Sequence, residues 1–183
     1  MFNKIISLLL LIFISPILFL LFLLILIFDK KPILFTQKRI GINNCEFMVY
    51  KFRTMKNNIG DIPTHVIKNS DDVLSNLGPF LRRYSLDELP QLINIINGEM
   101  SFVGPRPALY NQQDLIQLRT EKGVHTLMPG VTGWAQINGR DELSIPEKVT
   151  LDEYYLNNKS IILDIKIIFI TIKQILFPKN VLH

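Results

Sequence analysis

The chain has 183 residues and a formal net charge of +4, and 48% of its residues are hydrophobic. This length fits one compact domain plus an appendage, which excludes a multidomain protein. The hydrophobic content argues against intrinsic disorder, and the single cysteine, Cys45, excludes an intrachain disulfide and a multi-cysteine zinc site. The positive charge favours anionic partners, namely phosphates, anionic lipid or nucleic acid.

The N-terminal segment is the most hydrophobic part of the chain, with no charged residue in 5–28. As a helix it would be roughly 36 Å long, enough to cross a hydrocarbon layer of about 30 Å. This pattern alone favours a spanning helix over a re-entrant one. The re-entrant alternative is indicated by Ser15-Pro16 near the middle, where proline removes a backbone donor and the serine hydroxyl could bond the freed carbonyl. Lysines on both sides, Lys4 and Lys30-Lys31, also favour it. A cleaved signal peptide is disfavoured because no A-x-A-like site follows.

The rest of the chain predicts an α+β fold that is mostly helical. Predicted strands cover residues 33–35 and 47–52, around a turn at 41–44. Predicted helices cover residues 73–84 (interrupted at Gly78-Pro79), 85–96, 108–122 and 147–155. Loops are predicted at residues 57–72, 104–107 and 128–140.

Residues 160–177 form the last predicted element. Isoleucines recur there at helical spacing, with Asp164, Lys166 and Lys173 between them. This pattern is typical of an amphipathic helix. Either it packs on the core, or it lies in the membrane interface with lysines at its edge.

Two adjacent acids, Asp87 and Glu88, are the densest candidate for chemistry. Pro90 is tolerated only in the first turn of a helix, so the helix is predicted to begin near residues 85–87. Ser85 and Glu88 have capping-box spacing, and the helix dipole would keep both carboxylates ionised. The pair is therefore either a helix cap, or a pair of carboxylates that holds Mg²⁺ or supplies a nucleophile.

Arginines shift the balance towards chemistry. Each of them, taken alone, is most simply a surface ion pair. Together, beside turns, prolines or glycines and near an acid pair, they favour a phosphate-bearing substrate, because arginine binds phosphate oxygens bidentately. They are Arg53, Arg82, Arg83, Arg106 and Arg140.

Other phosphate and hydrolase chemistries fit poorly. The sequence contains no P-loop, no dinucleotide-binding glycine motif and no nucleophile elbow, and its histidines have no metal-binding spacing. Nucleic acid binding is disfavoured because no basic stripe interleaves with aromatic residues. Trp134 could stack on a base, although a core or membrane-interface position fits equally well.

Four motifs resemble those of the bacterial sugar transferase family, the monotopic phosphoglycosyl transferases that start surface-glycan assembly. They occur in the family's order and cover most of the chain: KFRTM at 51–55, SLDELPQL at 85–92, GEMSFVGPRP at 98–107 and PGVTGWAQINGR at 129–140.

The resemblance implies transfer of a sugar-1-phosphate from a UDP-sugar to undecaprenyl phosphate, releasing UMP. It implies that Asp87 attacks the β-phosphorus to form a phosphosugar–aspartyl intermediate. Mg²⁺ would bind at Asp87 and Glu88, and Glu88 would assist as a ligand or in proton handling. The residues matched to substrate binding are Lys51, Arg53, Arg82, Pro105, Arg106, Pro107 and Arg140.

The resemblance also implies a topology, and it reverses the preference for a spanning helix. Residues 1–31 become a re-entrant helix broken at Ser15-Pro16, and 32–183 a catalytic domain on the cytoplasmic face of the bacterial inner membrane. Its last helix, about 160–177, becomes interfacial. Membrane lipid is then a partner, and a second copy or downstream glycosyltransferases are candidates. The alternative is a catalytically silent membrane-anchored scaffold whose acid pair is only a cap. The sugar stays open.

Overall fold

The computed structural model describes residues 2–56, 73–139 and 142–177. The predicted α+β, mostly helical fold is confirmed. The helices are α1 (Phe2–Phe28), α2 (Gly78–Arg83), α3 (Leu92–Asn97), α4 (Gln113–Glu121), α5 (Trp134–Ile137), α6 (Ile145–Asn158) and α7 (Ile161–Leu176). Short 3-10 helices cover Ile42–Asn44, Leu86–Gln91 and Val124–Thr126. The strands are β1 (Leu34–Ile40), β2 (Glu46–Phe52), β3 (Ser101–Val103), β4 (Ala108–Leu109) and β5 (Gly130–Thr132).

Two small sheets organise the domain. In the first, β1 pairs antiparallel with β2 on one edge and with β4 on the other. In the second, β3 and β5 are parallel, with Ser101 opposite Gly130. Strand β1 extends beyond the predicted 33–35 because pairing with β2 along its length, and with β4 at Arg39 and Ile40, stabilises the polar residues 36–39, which lack a strand-like hydrophobic pattern.

Other predicted elements also differ from the structure. The helix predicted at 85–96 is a 3-10 helix over Leu86–Gln91 followed by α3. Helix α2 begins at Gly78, so Gly78-Pro79 starts a helix rather than interrupting one, in keeping with the preference of proline for the first turn. The helix predicted from residue 108 begins at Gln113, because residues 108–109 pair with β1 as a strand. The loop predicted at 128–140 contains β5 and α5. The loop predicted at 57–72 lies outside the described residues.

Helix α1 runs without interruption through Pro16. A proline at position 16 leaves the carbonyl of Ile12 without its usual helical donor. The Ser15 hydroxyl donates to that carbonyl at 2.8 Å, as the sequence predicts. Ser15 therefore compensates locally for the bond that Pro16 cannot make.

Both ends of α1 contact the domain. Near the start, Lys4 donates to the Asn97 carbonyl at 3.2 Å. At the end, the Asn76 side chain donates to the Phe28 carbonyl at 2.9 Å. The opposite face of the helix is exposed and almost wholly apolar, including Leu9, Ile12, Phe13, Phe19 and Leu20. The helix therefore lies along the domain and presents its other side outward.

The core forms where α1 meets the first sheet. Leu21 and Ile25 pack against Phe52 of β2 and Leu81 of α2. A neighbouring cluster joins Val49 of β2 to α3. Burial of these side chains places β2, α2 and α3 in fixed relation to α1, at a typical gain of about 1.5–3 kcal/mol for each large side chain.

Helix α7 packs on the core through one face, as one of its two predicted roles requires, and its interfacial role stays a prediction. Ile167 is fully buried against the cluster that contains Tyr155, and the Ser160 hydroxyl caps the first turn by accepting from the Leu163 amide. The outward face is a continuous run of exposed apolar side chains: Ile161, Ile162, Ile165, Phe169, Ile172, Leu176 and Phe177.

Candidate active site

The acid pair lies on the 3-10 helix Leu86–Gln91, directly after a sharp turn. Ser85 adopts the left-handed conformation, with φ 51°, and so redirects the chain between α2 and this helix. Its side chain makes no capping hydrogen bond. The capping box predicted for Ser85 and Glu88 is therefore wrong, because the Glu88 carboxylate is drawn into ion pairs instead. A capping box occurs at Ser144 and Glu147, at the start of α6.

Glu88 is held by two cations from different parts of the chain. Its Oε1 accepts from Lys51 Nζ at 2.7 Å and from both terminal nitrogens of Arg106 at 3.1 Å. Lys51 lies on β2, and Arg106 lies between β3 and β4. The structure thus brings together Lys51, Glu88 and Arg106, which come from three different motifs and were each predicted to belong to the site.

Asp87 is buried, and no hydrogen bond to its carboxylate comes from residues 2–56, 73–139 or 142–177. Burial raises the pKa of the Asp87 carboxyl above its ordinary value, although Lys51, Arg82 and Arg106 act to lower it. The helix-dipole expectation is thus opposed by desolvation. Burial likewise lowers the pKa of the Lys51 ammonium, against the attraction of Glu88.

The raised pKa of Asp87 predicts a pH-dependent cost to stability. A carboxyl with a folded-state pKa above its unfolded value stabilises the fold at low pH and loses that contribution as pH rises through the folded pKa. The neutral isostere in Asp87→Asn should therefore give a higher Tm than wild type at pH 7, and the difference should shrink towards pH 4. Thermal unfolding in EDTA across this range measures it, and an Asn variant less stable at pH 7 would contradict it.

The backbone around Arg106 is fixed at three successive carbonyls. The Pro105 carbonyl accepts from the Gly130 amide at 3.0 Å. The Arg106 carbonyl accepts from the Arg119 side chain at 2.8 Å, and the Pro107 carbonyl accepts from the Arg39 side chain at 3.0 Å. The two prolines restrict the same segment covalently. Pro105 and Pro107 thus hold the main chain from which the Arg106 side chain reaches Glu88.

Arg82 contacts the segment that follows β2. Its Nε donates to the Thr54 hydroxyl at 3.0 Å, and its charge partly opposes the rise that burial causes in the pKa of Asp87. Arg82 therefore contributes to the electrostatics of the acid pair, and its predicted role in binding substrate stays a prediction.

Arg53 has a different environment from the other predicted arginines. It is buried and donates to the carbonyls of Lys30 at 2.8 Å and Pro32 at 2.6 Å. It also donates to the Asp29 carbonyl. These contacts tie β2 to the chain leaving α1, and a role of Arg53 in substrate binding stays a prediction. Arg140, also predicted to bind substrate, lies outside the described residues.

Sequence reasoning missed the residue that secures Lys51. Asn94 of α3 is fully buried, donates to the Met48 carbonyl at 2.7 Å and accepts from the Tyr50 amide at 3.1 Å. It also donates to Glu99 at 2.7 Å. These bonds fix β2 just before Lys51. A polar residue inside the apolar run 92–96 was the signal that could have revealed it.

The acid pair was predicted to hold Mg²⁺, and this stays a prediction; Asp87 and Glu88 are the residues that would hold the ion. Mg²⁺ is commonly held by one or two carboxylates, with substrate phosphates and water as its other ligands. The Asp87 carboxylate has no competing hydrogen bond within the described part of the chain, and Glu88 is adjacent. No cluster of three or more potential ligand side chains occurs among these residues. Such a site would therefore take its remaining ligands from water and substrate phosphates.

Comparison with known proteins connects this site to a family. The family model described as bacterial sugar transferase matches residues 1–178. The chain is 43% identical to an undecaprenyl-phosphate glucose phosphotransferase of Komagataeibacter xylinus, over 95% of this chain and 35% of that protein. It is 40% identical to the uncharacterized sugar transferase EpsL of Bacillus subtilis, over 82% of this chain and 73% of that protein.

A further relative is similar along most of its length. The exopolysaccharide production protein ExoY of Sinorhizobium fredii is 36% identical over 98% of this chain and 85% of that protein. The chain thus spans about a third of the Komagataeibacter protein but most of the Bacillus and Sinorhizobium ones. The resemblance found in the four motifs is confirmed, and the chain belongs to the bacterial sugar transferase family.

Proposed function

We propose that this protein transfers a sugar-1-phosphate from a UDP-sugar to undecaprenyl phosphate, giving UMP and a lipid-linked diphosphosugar. The observation that carries the proposal is the Asp87 carboxylate, buried without a hydrogen bond from the described residues and surrounded by Lys51, Arg82 and Arg106. Relatives named as undecaprenyl-phosphate sugar phosphotransferases support the same reaction class.

The reaction proceeds in two displacements at one phosphorus atom. The Asp87 carboxylate attacks the β-phosphorus of the UDP-sugar, the bond to the UMP oxygen breaks, and UMP leaves with the electron pair. An oxygen of undecaprenyl phosphate then attacks the same phosphorus and releases the Asp87 carboxylate. Because a carboxylate needs no general base, burial among cations is a suitable environment for this nucleophile.

The cations stabilise the charge that moves during each displacement. Phosphoryl transfer depends on positioning and on charge neutralisation, which fixed arginines and lysines provide without reorganisation. Arg106 and Lys51 are already oriented by Glu88. Mg²⁺, held by Asp87 and Glu88 with the diphosphate, would add further neutralisation of the phosphate oxygens.

A membrane-surface location fits the two substrates, one soluble and one lipid. We propose that α1 bends at Ser15-Pro16, so that it enters the membrane and leaves by the same face, because both its ends contact one domain. A helix crossing about 30 Å of hydrocarbon would place its ends on opposite sides. The exposed apolar face of α7, with Lys166 and Lys173, would lie in the interface of the cytoplasmic leaflet.

Cysteine labelling tests this topology. Cys45 is exposed, is the only cysteine of the chain and reports the side of the domain. In an Asn3→Cys, Cys45→Ser variant, residue 3 should react with a membrane-impermeant maleimide only under the conditions in which Cys45 reacts in wild type. In spheroplasts, both should need permeabilisation. If residue 3 is labelled in intact spheroplasts while Cys45 of wild type is not, the helix spans the membrane.

UMP release tests the reaction itself. Membrane-embedded protein, Mg²⁺ and undecaprenyl phosphate are incubated with a panel of UDP-sugars, with Asp87→Asn as the blank. Release with one sugar, absent in the blank, would establish the class and identify the donor. Absence of release throughout, together with no labelled phosphosugar on the protein, would contradict the proposal. The scaffold alternative, in which the acid pair is only a helix cap, predicts that result.

A further inference from the structure

A buried ion pair joins α4 to α6 outside the cluster formed by Asp87 and Glu88. Arg119 is 9% exposed and Asp152 is 1% exposed. The Nε and Nη2 of Arg119 both donate to Asp152 Oδ2, at 3.0 and 2.6 Å. The cost of desolvating two charges commonly offsets their attraction, so stability alone is a weak reason for such a pair.

The third contact of this pair leads to the active site. The Nη1 of Arg119 donates to the main-chain carbonyl of Arg106 at 2.8 Å. The side chain of Arg106 extends from that main chain to Glu88. A continuous set of contacts therefore runs from Asp152 on α6, through Arg119 on α4, to the residue that faces the acid pair.

Arginine is suited to this arrangement in a way that lysine is not. Its planar guanidinium has donors in a rigid fork, so one edge can bind a carboxylate while the remaining nitrogen points at a carbonyl. A lysine ammonium is a compact group on a flexible stem and could satisfy Asp152 without fixing Arg106. The carbonyls of Pro105 and Pro107 have other donors, so only the central contact depends on Arg119.

We propose that Arg119 and Asp152 are positioning residues for the transfer reaction. Asp152 orients the guanidinium of Arg119, which holds the main chain of Arg106 so that its side chain meets Glu88 and the substrate diphosphate. This role rests on the proposed function. It assigns part of the catalytic geometry to two helices that carry none of the residues predicted to form the site.

The first test compares Arg119→Lys with a matched control. We expect Arg119→Lys to lower kcat for UMP release roughly 10- to 100-fold with little change in the KM for undecaprenyl phosphate, because small misplacements of a catalytic group have effects of that size. Lys122 and Glu153 form an exposed pair between the end of α4 and α6, at 3.3 Å. Lys122→Met should keep kcat within about twofold, as exposed pairs contribute little.

A double-mutant cycle separates positioning from a purely structural role. If Arg119 acts through Arg106, the loss caused by Arg119→Lys should fall to about twofold or less in an Arg106→Lys background. An equal fold-loss in both backgrounds would overturn the positioning role, as would wild-type kcat in Arg119→Lys. Wild-type protein that releases no UMP would instead contradict the proposed function, and the positioning role with it. Tm values of all four proteins identify losses due to unfolding.

Discussion

Asp87→Asn is expected to lower the rate of UMP release by at least about 1,000-fold while the protein stays folded and membrane-bound. An amide nitrogen or oxygen cannot replace the carboxylate as nucleophile, and removal of a nucleophile typically has effects of this size or larger. The substitution preserves shape, and within the described residues it breaks no hydrogen bond. Turnover should therefore fall, and no labelled phosphosugar should be found bound to the variant protein.

Glu88→Gln is the informative comparison because it changes the neighbouring carboxylate. Glu88 neutralises Lys51 and Arg106 at 2.7 and 3.1 Å, so the glutamine variant leaves two partly buried cations without their counter-charge. We expect it to lose both Tm and activity, whereas Asp87→Asn loses activity alone. A rate close to wild type in Asp87→Asn would rule out the aspartyl intermediate.

Gly130→Ala is expected to destabilise the protein by about 3 kcal/mol, which corresponds to a fall in Tm of roughly 6–12 °C. A Cβ at residue 130 would lie 2.1 Å from the Gly104 amide nitrogen and 2.4 Å from the Thr132 carbonyl oxygen. These are main-chain atoms, so β3 and β5 must separate to admit a methyl group. Thermal unfolding followed by circular dichroism measures the loss.

The same substitution should also lower activity at temperatures where the variant is folded. The Gly130 amide donates to the Pro105 carbonyl, so a shift of β5 moves the segment that carries Arg106. Gly41→Ala is the matched control, since its Cβ would meet chiefly the ring of Phe47 at 3.1 Å, and a side chain can move. Similar Tm values for the two alanine variants would contradict this explanation.

Much of the molecule follows from local sequence. The uncharged run 5–28 determined α1, and the Ser15 hydroxyl was predicted to bond a freed carbonyl because the covalent structure of proline removes a donor at a known position. The motifs that identified the family also located the acid pair and Arg106. These inferences depend on residue type and spacing within a few turns of chain, which a sequence records directly.

Long-range partners account for what the sequence left open. The spacing of Ser85 and Glu88 predicted a capping box. Instead, Glu88 is bound by Lys51 and Arg106, which are distant from it along the chain. Arg53 resembles the other arginines in sequence, yet its donors are occupied by carbonyls after α1. In both cases several partners are possible from the sequence, and the packing of distant elements determines which of them the charged side chain bonds.

The sequence by itself determined the family, the long apolar helix α1 and the identity of the candidate nucleophile. Tertiary structure alone decided the environment of that nucleophile: burial raises the pKa of Asp87. It also decided the contacts on which the proposed support of the site depends: Arg119 and Asn94 each bond a main-chain carbonyl or amide of another element, and Asp152 holds the Arg119 side chain. Main-chain groups are the same at every position, so no pattern of side chains indicates which of them will be bonded.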